Sequence, residues 1–348
     1  MTKLSVGVLG ASGSVGQSYV KLLENHPLFE ITALAASTKW DGYSYKHALE
    51  GRMHESFSEK TLGRVLSPKR NFSECQIIFS ALRDEESIEV EEMYAERGLA
   101  VFSHASSHRR ASDIPMIIPE INPDHLDLIP FQRQKRGWKT GCIIVKPNCT
   151  LQSFLLPLFP LHQKFHLKDV VITTMQSTSG GGAGFELEKN IIPYIEGEEE
   201  KTEKEPLKIL GSLKENKIVD AQGVKFSSHC NRVPVYEGHL ACVSASFEKS
   251  LTRGEVLHSW EVFRGLPQKL NLFSAPLKPL HYFTENDRPQ PYYDKNIEKG
   301  MSISLGRLRE CSVFDLRFTA LSHNLMRGAA GGSILSAELA LKQGFING

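Results

Sequence analysis

The feature that most constrains the fold is a turn with three glycines near the start of the chain, in LSVGVLGASGSVGQ. The apolar run LSVGVLG leads into glycines at positions 10, 13 and 16, and SYVKLLENH follows with the apolar spacing of a helix. FEITALAAS then has the composition of a second strand. A strand, a glycine turn, a helix and a strand form a βαβ unit, whose two strands lie parallel in one sheet.

Further segments extend this pattern and then depart from it. Strand-like runs at 75–82, 99–106 and 141–148 surround a charged helical segment, and they continue the parallel sheet. Beyond residue 150 the pattern favours an antiparallel-rich α+β unit. Its predicted elements are a helix at 151–165, a strand running into a glycine-rich loop at 170–185, a charged helix at 196–213, two strands around a turn within 233–247, a hairpin at 301–321 and a helix at 324–344. The predicted fold class is α/β, with an N-terminal Rossmann-type dinucleotide-binding domain and a second α+β domain.

The spacing of the glycine turn is a variant of the dinucleotide-binding pattern. Glycines let the backbone turn tightly and approach a pyrophosphate, and the next helix directs its N-terminal N–H groups at that anion. A plain strand-to-helix turn is the alternative interpretation. The strand before and the helix after favour cofactor binding, by Gly10, Ser12, Gly13, Ser14, Val15 and Gly16.

The end of the second predicted strand distinguishes the two nicotinamide cofactors. NAD enzymes usually place a carboxylate there for the ribose 2′-hydroxyl. This chain has Ser37, Thr38 and Lys39 instead. Two hydroxyls and a cation suit a 2′-phosphate, so the sequence predicts NADP.

The bulk composition excludes several classes of function. Lys and Arg number 41 and Asp and Glu 40 in 348 residues, so no overall charge attracts nucleic acid or an anionic membrane. No apolar run approaches the ~18 residues of a membrane span, and no signal peptide is expected before the first strand. The six cysteines include no C-x-x-C pair, which argues against a metal site. We expect a cytoplasmic protein with reduced thiols and a small-molecule substrate.

Cys149 is a candidate nucleophile. It lies in VKPNCTLQ, directly after an apolar strand and just before a predicted helix. Chemistry at a thiol needs a base and donors for an oxyanion. Asn148 and the helix N-terminus can supply donors, and His239, just after a turn in NRVPVYEGHLACV, is a candidate base. Taken alone, each of these residues is more often structural, because cysteine commonly packs as a small hydrophobe.

Six segments together carry a resemblance to a known family: GASGSVG, PNCT, TTMQSTSG, EEEKTEKEPLKIL, NRVPVYEGH and SHNLMRGAAGGSILSAELAL. In this order and spacing, over nearly the whole chain, they resemble the aspartate-semialdehyde dehydrogenases, in particular the archaeal and fungal branch. The resemblance implies an NADP-binding domain formed by 1–149 with 324–348, and a catalytic and dimerisation domain at 150–323. It also implies NADPH-dependent reductive dephosphorylation of L-aspartyl 4-phosphate, in biosynthesis of aspartate-family amino acids.

The resemblance assigns roles residue by residue. Cys149 corresponds to the nucleophile that forms a thioester, His239 to its acid–base partner, and Gln176 to the residue that positions the acyl group. Arg232 corresponds to the arginine that binds the substrate carboxylate, and Glu198 to the acid that pairs with the α-ammonium. The chemistry agrees, because a guanidinium recognises a carboxylate through two parallel hydrogen bonds.

Further roles concern the phosphate and the nicotinamide. Arg109 and Lys201 correspond to the cations that hold the substrate phosphate. Asn324 and the Ser177–Gly180 loop, with Ser179 and Gly180, correspond to groups near the nicotinamide. The loop lacks the proline usual in the family.

Some positions remain open. Arg110 is an alternative to Arg109, and Glu199 and Glu200 are alternatives to Glu198. Lys146 stands where the family usually has asparagine. We expect its side chain in solvent, and the alternative is that it lowers the pKa of the Cys149 thiol. The remaining cysteines, including Cys142, Cys230 and Cys242, are expected to pack in the core, and His104 and His108 to lie on a loop surface.

Three rival functions remain. A short-chain acyl-CoA reductase would share the cysteine, the histidine, the arginine and NADPH, but it would not need an acid for an ammonium group. An N-acetyl-glutamyl-phosphate reductase would not need Glu198 either. A nonenzymatic NADP-binding sensor would not need Cys149, Gln176, Arg232 and His239 together. We expect the chain to form a homodimer or homotetramer.

Overall fold

Two large β-sheets organise the chain in this computed structural model, which describes residues 2–182 and 187–346. The described strands are β1 (Leu4–Leu9), β2 (Phe29–Ala35), β3 (Ile77–Ser80), β4 (Ala100–Ser103), β5 (Cys142–Val145), β6 (Leu167–Gln176), β7 (Ser212–Lys214), β8 (Lys217–Val219), β9 (Lys225–Arg232), β10 (His239–Phe247), β11 (Leu280–Tyr282), β12 (Ile303–Glu310) and β13 (Leu316–Ser322). The described α-helices are α1 (Ser14–Leu23), α2 (Tyr45–Ala48), α3 (Glu59–Leu62), α4 (Asp84–Glu96), α5 (Ile129–Arg136), α6 (Leu151–Phe165), α7 (Glu198–Ile209), α8 (Arg253–Val262), α9 (Leu266–Lys269), α10 (Pro291–Asp294) and α11 (Gly331–Lys342). None of these helices is both long and apolar enough to cross a bilayer.

The first sheet is entirely parallel and has the order β2-β1-β3-β4-β5. Its strands β3, β4 and β5 are buried along their whole length, as expected for a sheet covered on both faces. The chain leaves β1 toward β2 on one side and returns as β3 on the other. The carboxyl ends of β1 and β3 therefore border the crevice at which open α/β sheets bind ligands.

The second sheet is mixed and has the order β11-β12-β13-β10-β6-β9. β10 is antiparallel to both β6 and β13, whereas β9 lies parallel to β6. Burial alternates along β6 and β10, so one face of this sheet packs on the core. The other face carries more exposed side chains, including Val171 and Cys242.

The last helix returns to the first sheet. After a single π-helical turn, Met326–Ala330, the chain continues as α11. Ile334 and Ala337 of α11 belong to the same buried cluster as Val6 of β1 and Phe102 of β4. The two ends of the chain therefore share one core.

The predicted fold class is confirmed, with one correction in the second half. Residues 233–247 contain one strand, β10 (His239–Phe247), in place of the two predicted, and 233–238 form an irregular turn. Pro234 has no N–H to give to a sheet, which disfavours a strand there. The strand before this turn is β9, whose polar sequence KFSSHCNR carries little strand pattern. The 301–321 hairpin forms as β12 and β13, and the predicted glycine-rich loop continues into 183–186, which lie outside the described residues.

Candidate active site

Cys149 lies between β5 and α6, where the parallel sheet meets the mixed sheet. Its Sγ is 3.3 Å from Nε2 of His239, the first residue of β10. Gly328 closes the pocket from the C-terminal segment, because a Cβ at that position would lie 2.8 Å from the Cβ of Cys149. The fold thus brings the two predicted reactive residues into contact from different sheets.

The hydrogen bonds of His239 determine where its proton lies. The backbone N–H of Ser177 donates to Nδ1 at 3.1 Å, and the Ser177 hydroxyl lies 3.2 Å from the same atom. Because a backbone N–H only donates, Nδ1 accepts and the neutral ring carries its proton on Nε2. Nε2–H therefore points at the sulfur of Cys149. Burial, followed by Arg232 and His323, lowers the pKa of His239 to about 3, which keeps the ring neutral.

The thiol of Cys149 is neutral in this environment. Burial raises its pKa to about 11, and the negative charge of Glu198 adds to this effect. Arg109 and Arg232 oppose it. The thiolate therefore depends on hydrogen-bond donors and on nearby positive charge.

Glu198, the first residue of α7, organises the amide side chains of the site. Its two carboxylate oxygens each accept from Nδ2 of Asn148 at 2.9 Å, and one accepts from Nε2 of Gln176 at 3.3 Å. Lys201, one turn along α7, donates to the same carboxylate at 3.3 Å. A carboxylate in the first turn of a helix is also favoured by the helix dipole.

The other two acids of this segment lie outside the site. Glu199 accepts from the backbone N–H of Cys230 at 3.2 Å, and the exposed Glu200 pairs with Arg110 and Lys204. Of the three predicted candidates, the structure therefore brings only Glu198 next to Asn148 and Gln176.

A cationic cavity of about 460 Å³ lies beside Lys201, the partner of Glu198. Its lining includes Ser106, Arg109, Arg110, Met116, Gly197, Glu200, Lys201, Lys204, Glu205, Lys208 and Asp220. Arg109 is buried, donates from Nη1 to Glu205 at 2.9 Å, and keeps a buried Nε with no hydrogen bond to a described residue. Arg110 lines the outer part with an exposed side chain. The cavity has the charge to hold an anion such as phosphate.

Arg232 and the loop after β6 close the other side of the site. Arg232 is buried at the end of β9 and donates from Nη1 to the carbonyl of Ser177 at 2.8 Å. A Cβ at Gly180 would lie 2.9 Å from that Nη1 and 3.0 Å from the His239 ring. Asn324 donates to the Ser179 hydroxyl at 2.8 Å and accepts from the Gly238 N–H at 2.9 Å. The loop is therefore held between β10 and the C-terminal segment.

The glycine turn fits a dinucleotide. Gly10 has φ +71°, which suits glycine, and a Cβ at Gly16 would lie 2.0 Å from the Gly10 carbonyl oxygen. Gly13 caps α1, so the free N–H groups at Ser14, Val15 and Gly16 open this helix. The exposed turn after β2 holds the remaining predicted cofactor contacts, Ser37, Thr38 and Lys39. The free N–H groups at the start of α1 suit a pyrophosphate.

Several residues lie elsewhere than the sequence suggested. Lys146 is buried, because the C-terminal segment covers it. His108 is buried with its Nε2 3.2 Å from the buried Glu91 of α4, and His104 is half-buried with a pKa lowered to about 3 by burial and by Arg109 and Lys146. Cys242 does not pack in the core, because it lies on the exposed face of the mixed sheet.

Sequence reasoning missed one residue that joins the parts of the site. Glu205 of α7 accepts from Arg109 through Oε1 and from the backbone N–H of Asn148 through Oε2 at 2.7 Å. The seven-residue spacing from Glu198, two helical turns, places both acids on one face of α7 and was the available clue. No group of three or more His, Cys, Asp or Glu within the described ranges could hold a metal ion.

Comparison with known proteins defines the class first. Residues 5–129 match the semialdehyde dehydrogenase NAD binding domain, and residues 158–327 match the semialdehyde dehydrogenase dimerisation domain. A Rossmann-type sheet, a mixed second sheet and a cysteine–histidine pair between them are consistent with that class. By fold and by sequence the chain falls in the semialdehyde dehydrogenase class.

Full-length relatives identify the family within that class. The chain is 40% identical to aspartate-semialdehyde dehydrogenase of Aspergillus fumigatus, with 99% of each chain covered. It is 41% identical to that of Methanothermobacter thermautotrophicus, with 97% of this chain and 98% of the relative covered. The crystal structure of aspartate semialdehyde dehydrogenase with NADP from Candida albicans aligns with a TM-score of 0.91 at 37% identity, covering 99% of this chain and all of the other. The chain belongs to the aspartate-semialdehyde dehydrogenase family, as the six sequence segments predicted.

Proposed function

We propose that the chain catalyses the NADPH-dependent reductive dephosphorylation of L-aspartyl 4-phosphate to L-aspartate 4-semialdehyde, in the biosynthesis of aspartate-family amino acids. The observation that carries the proposal is the contact between Cys149 Sγ and His239 Nε2 inside a buried group that includes Glu198 and Arg232. The named activity of the fungal and archaeal relatives supports it.

Each part of the substrate has a complementary group. Arg232 is assigned to the substrate carboxylate, and Glu198 to the α-ammonium. Arg109 and Lys201, which line the cationic cavity, are assigned to the phosphate. An acyl-CoA reductase would need no acid for an ammonium, so the buried position of Glu198 favours the amino-acid substrate.

The residues act in a short sequence of steps. The Cys149 thiolate attacks the acyl carbon, a C–S bond forms, the C–O bond to phosphate breaks, and phosphate leaves. His239 donates its Nε2–H to the thiolate and then toward the oxygen that develops negative charge, while Gln176 positions the acyl group. NADPH, when bound, supplies the hydride that reduces the thioester. Cleavage of the C–S bond releases the semialdehyde and restores the thiolate.

The cofactor and the two domains complete the proposal. Gly10, Gly13 and Gly16 with the start of α1 would hold the pyrophosphate of NADP, and Ser37, Thr38 and Lys39 its 2′-phosphate. We assign residues 1–149 with 324–348 to the NADP-binding domain and 150–323 to the catalytic and dimerisation domain. The shared core of α11 and the parallel sheet supports this division.

The same comparisons support a proposal for the assembly, and the cysteines support one for the location. The match to a dimerisation domain indicates a homo-oligomer, and we propose a homodimer or a homotetramer. A cytoplasmic location is supported by the six cysteines, all of which are free thiols.

The test is phosphate-dependent reduction of NADP by the purified protein with aspartate semialdehyde. We expect activity that Cys149→Ala lowers below about one per cent, with NADPH binding unchanged and at least about tenfold tighter than NADH binding. Activity only with malonyl-CoA and NADPH would replace the proposal with an acyl-CoA reductase. Absence of activity with every acyl substrate would replace it with an NADP-binding sensor.

A further inference from the structure

Lys146 is a buried cation close to the candidate nucleophile, and the steps above give it no role. The residue is 3% exposed. Within residues 2–182 and 187–346, its Nζ has no hydrogen-bond or ion-pair partner. An ammonium buried without a partner is costly, so its presence calls for a compensating charge or for loss of its proton.

The C-terminal segment places Lys146 and Cys149 side by side. A Cβ at Gly332 would lie 2.3 Å from Lys146 Nζ, and a Cβ at Gly328 would lie 2.8 Å from Cys149 Cβ. Gly328 and Gly332 are four residues apart on one helical face, which corresponds to about 6 Å. The amine and the thiol side chain therefore lie against successive turns of one segment.

Among the charged groups that face Lys146, Cys149 as a thiolate is the anion that is not already paired with another cation. Arg327 and Arg109 repel its ammonium, and Glu120, the carboxylate that attracts it, is already paired with Arg327, whose Nη1 donates at 2.7 Å. The nearby His104 is kept neutral by its low pKa. Burial and then Arg327 lower the pKa of Lys146 to about 7, whereas Glu120 and Cys149 act in the opposite direction.

The tautomer of His239 leaves the proton of the Cys149 thiol without an acceptor on the histidine ring. Nε2 already carries a proton and faces the sulfur, and Nδ1 is occupied by the Ser177 N–H. The ring can stabilise a thiolate in this geometry, but it has no free position for the thiol proton. The neutral amine of Lys146, which contacts the next turn of the same segment, has such a position.

We propose that Lys146 is a positioning residue that acts through Cys149, its ammonium stabilising the thiolate so that the two groups ionise together. When Cys149 loses a proton and Lys146 gains one, an S–H bond is replaced by an N–H bond and the net charge of the buried group is unchanged. The inference rests on the proposed role of Cys149 as nucleophile.

The test is the pH profile of Cys149 alkylation by iodoacetamide, without substrate or cofactor. The modified Cys149 peptide is quantified by mass spectrometry, because Cys242 and Cys311 are not buried in the single chain. We expect Lys146→Met to move the inflection upward by at least about one pH unit, which lowers the rate at pH 7 about tenfold. At high pH, the alkylation rate of Lys146→Met should stay within about twofold of the wild-type rate. Lys164→Met, which removes an exposed lysine, should leave the profile unchanged.

A Lys146→Met profile that coincides with wild type overturns the proposal. If that variant does not fold, Lys146→Gln makes the same comparison. If neither folds, the wild-type profile decides, because an inflection at or above about 11, the value to which burial raises the pKa of this thiol, contradicts a stabilised thiolate. No substrate enters this assay, so its failure would leave the proposed reaction standing, and failure of the reaction assay would leave the alkylation result standing.

Discussion

Cys149 illustrates how a single reactive group depends on charges contributed by distant segments. Burial and Glu198 hold its pKa high, Arg109 and Arg232 lower it, and His239 offers one N–H. Of these neighbours, none is adjacent to Cys149 in the chain. The residue type could be predicted from its sequence context, whereas its ionisation is set by the assembled site.

Removing the donor at His239 tests its part in the reaction. We expect His239→Ala to lower kcat/KM about 10²–10⁴-fold, because the thiolate and the developing oxyanion lose their N–H partner. Steady-state assays in both directions measure the effect. His258→Ala, which changes an exposed histidine of α8, should stay near wild type. Retention of more than about a tenth of the activity in the first variant would refute the role.

Arg232 tests carboxylate recognition. Truncation to alanine should cost on the order of 10²–10⁴ in kcat/KM, because two charge-assisted hydrogen bonds are lost. Arg232→Lys keeps the charge without the planar fork and should recover only a small part of this loss. Full recovery by lysine would mean that charge alone matters.

Lys146 makes a distinct prediction for stability. Its pKa falls from 10.5 in the unfolded chain to about 7 in the native protein, so between these values the unfolded state binds more protons. The wild-type free energy of unfolding therefore gains a contribution that rises with pH across that window. Below about pH 7 the burial penalty is fully present, and above 10.5 it is absent.

Urea unfolding of Lys146→Met against wild type measures this contribution. The free energy of unfolding of the variant should exceed that of wild type most at pH 6, and the difference should become smaller toward pH 10. Titrating groups other than Lys146 and Cys149 are common to both proteins and cancel in the difference. A difference that does not vary with pH would show that the lysine is not buried as a suppressed cation.

At the scale of elements, α7 links substrate recognition to the nucleophile. Its first turn supplies Glu198 and Lys201, and Glu205 two turns later holds both Arg109 and the backbone of Asn148. The charged composition of 196–213 was enough to predict a helix. Composition alone does not predict which face of α7 packs inward, because charged residues occur on its exposed face and at the buried Glu198 and Glu205.

The start of α7 offers a prediction about geometry. Gly197 has φ +67° and a side chain there would make no close contact, so Gly197→Ala should cost about 1–2 kcal/mol from backbone strain alone. It should also shift Glu198 and raise KM for the semialdehyde. Thermal unfolding and kinetics measure both effects.

Gly254→Ala is the matched control. It lies in the first turn of α8 with open space around its Cβ and no left-handed φ. The substitution should stabilise by up to about 1 kcal/mol through helix propensity. Equal effects at the two glycines would contradict the strain argument.

At the scale of the whole molecule, one face of the mixed sheet is only partly covered by the described residues. Val171 is 37% exposed there, and it pairs across the ladder with Ser244, two residues from the exposed Cys242. A sheet normally buries its apolar face against another layer. We expect a second copy of the chain to cover this face.

Val171→Asp tests that expectation, because an unpaired carboxylate in a buried interface is strongly unfavourable. The variant should shift the molar mass measured by light scattering toward the monomer. Val262→Asp, at an exposed valine of α8, should keep the wild-type mass. An unchanged mass for Val171→Asp would place the oligomer contact elsewhere.

The sequence by itself determined the Rossmann-type half, the family and the types of the reactive residues. The three-glycine turn permits few backbone paths, and the six segments occur in a characteristic order. Tertiary structure alone decided that Glu198 is buried while Glu200 is exposed, that Arg109 lies deeper than Arg110, and that Lys146 is enclosed. The reason is physical: burial and charge coupling arise between residues far apart in the chain, such as Cys149 and His239 or Arg109 and Glu205. The residues on either side of a position in the sequence do not predict which distant residues will contact it.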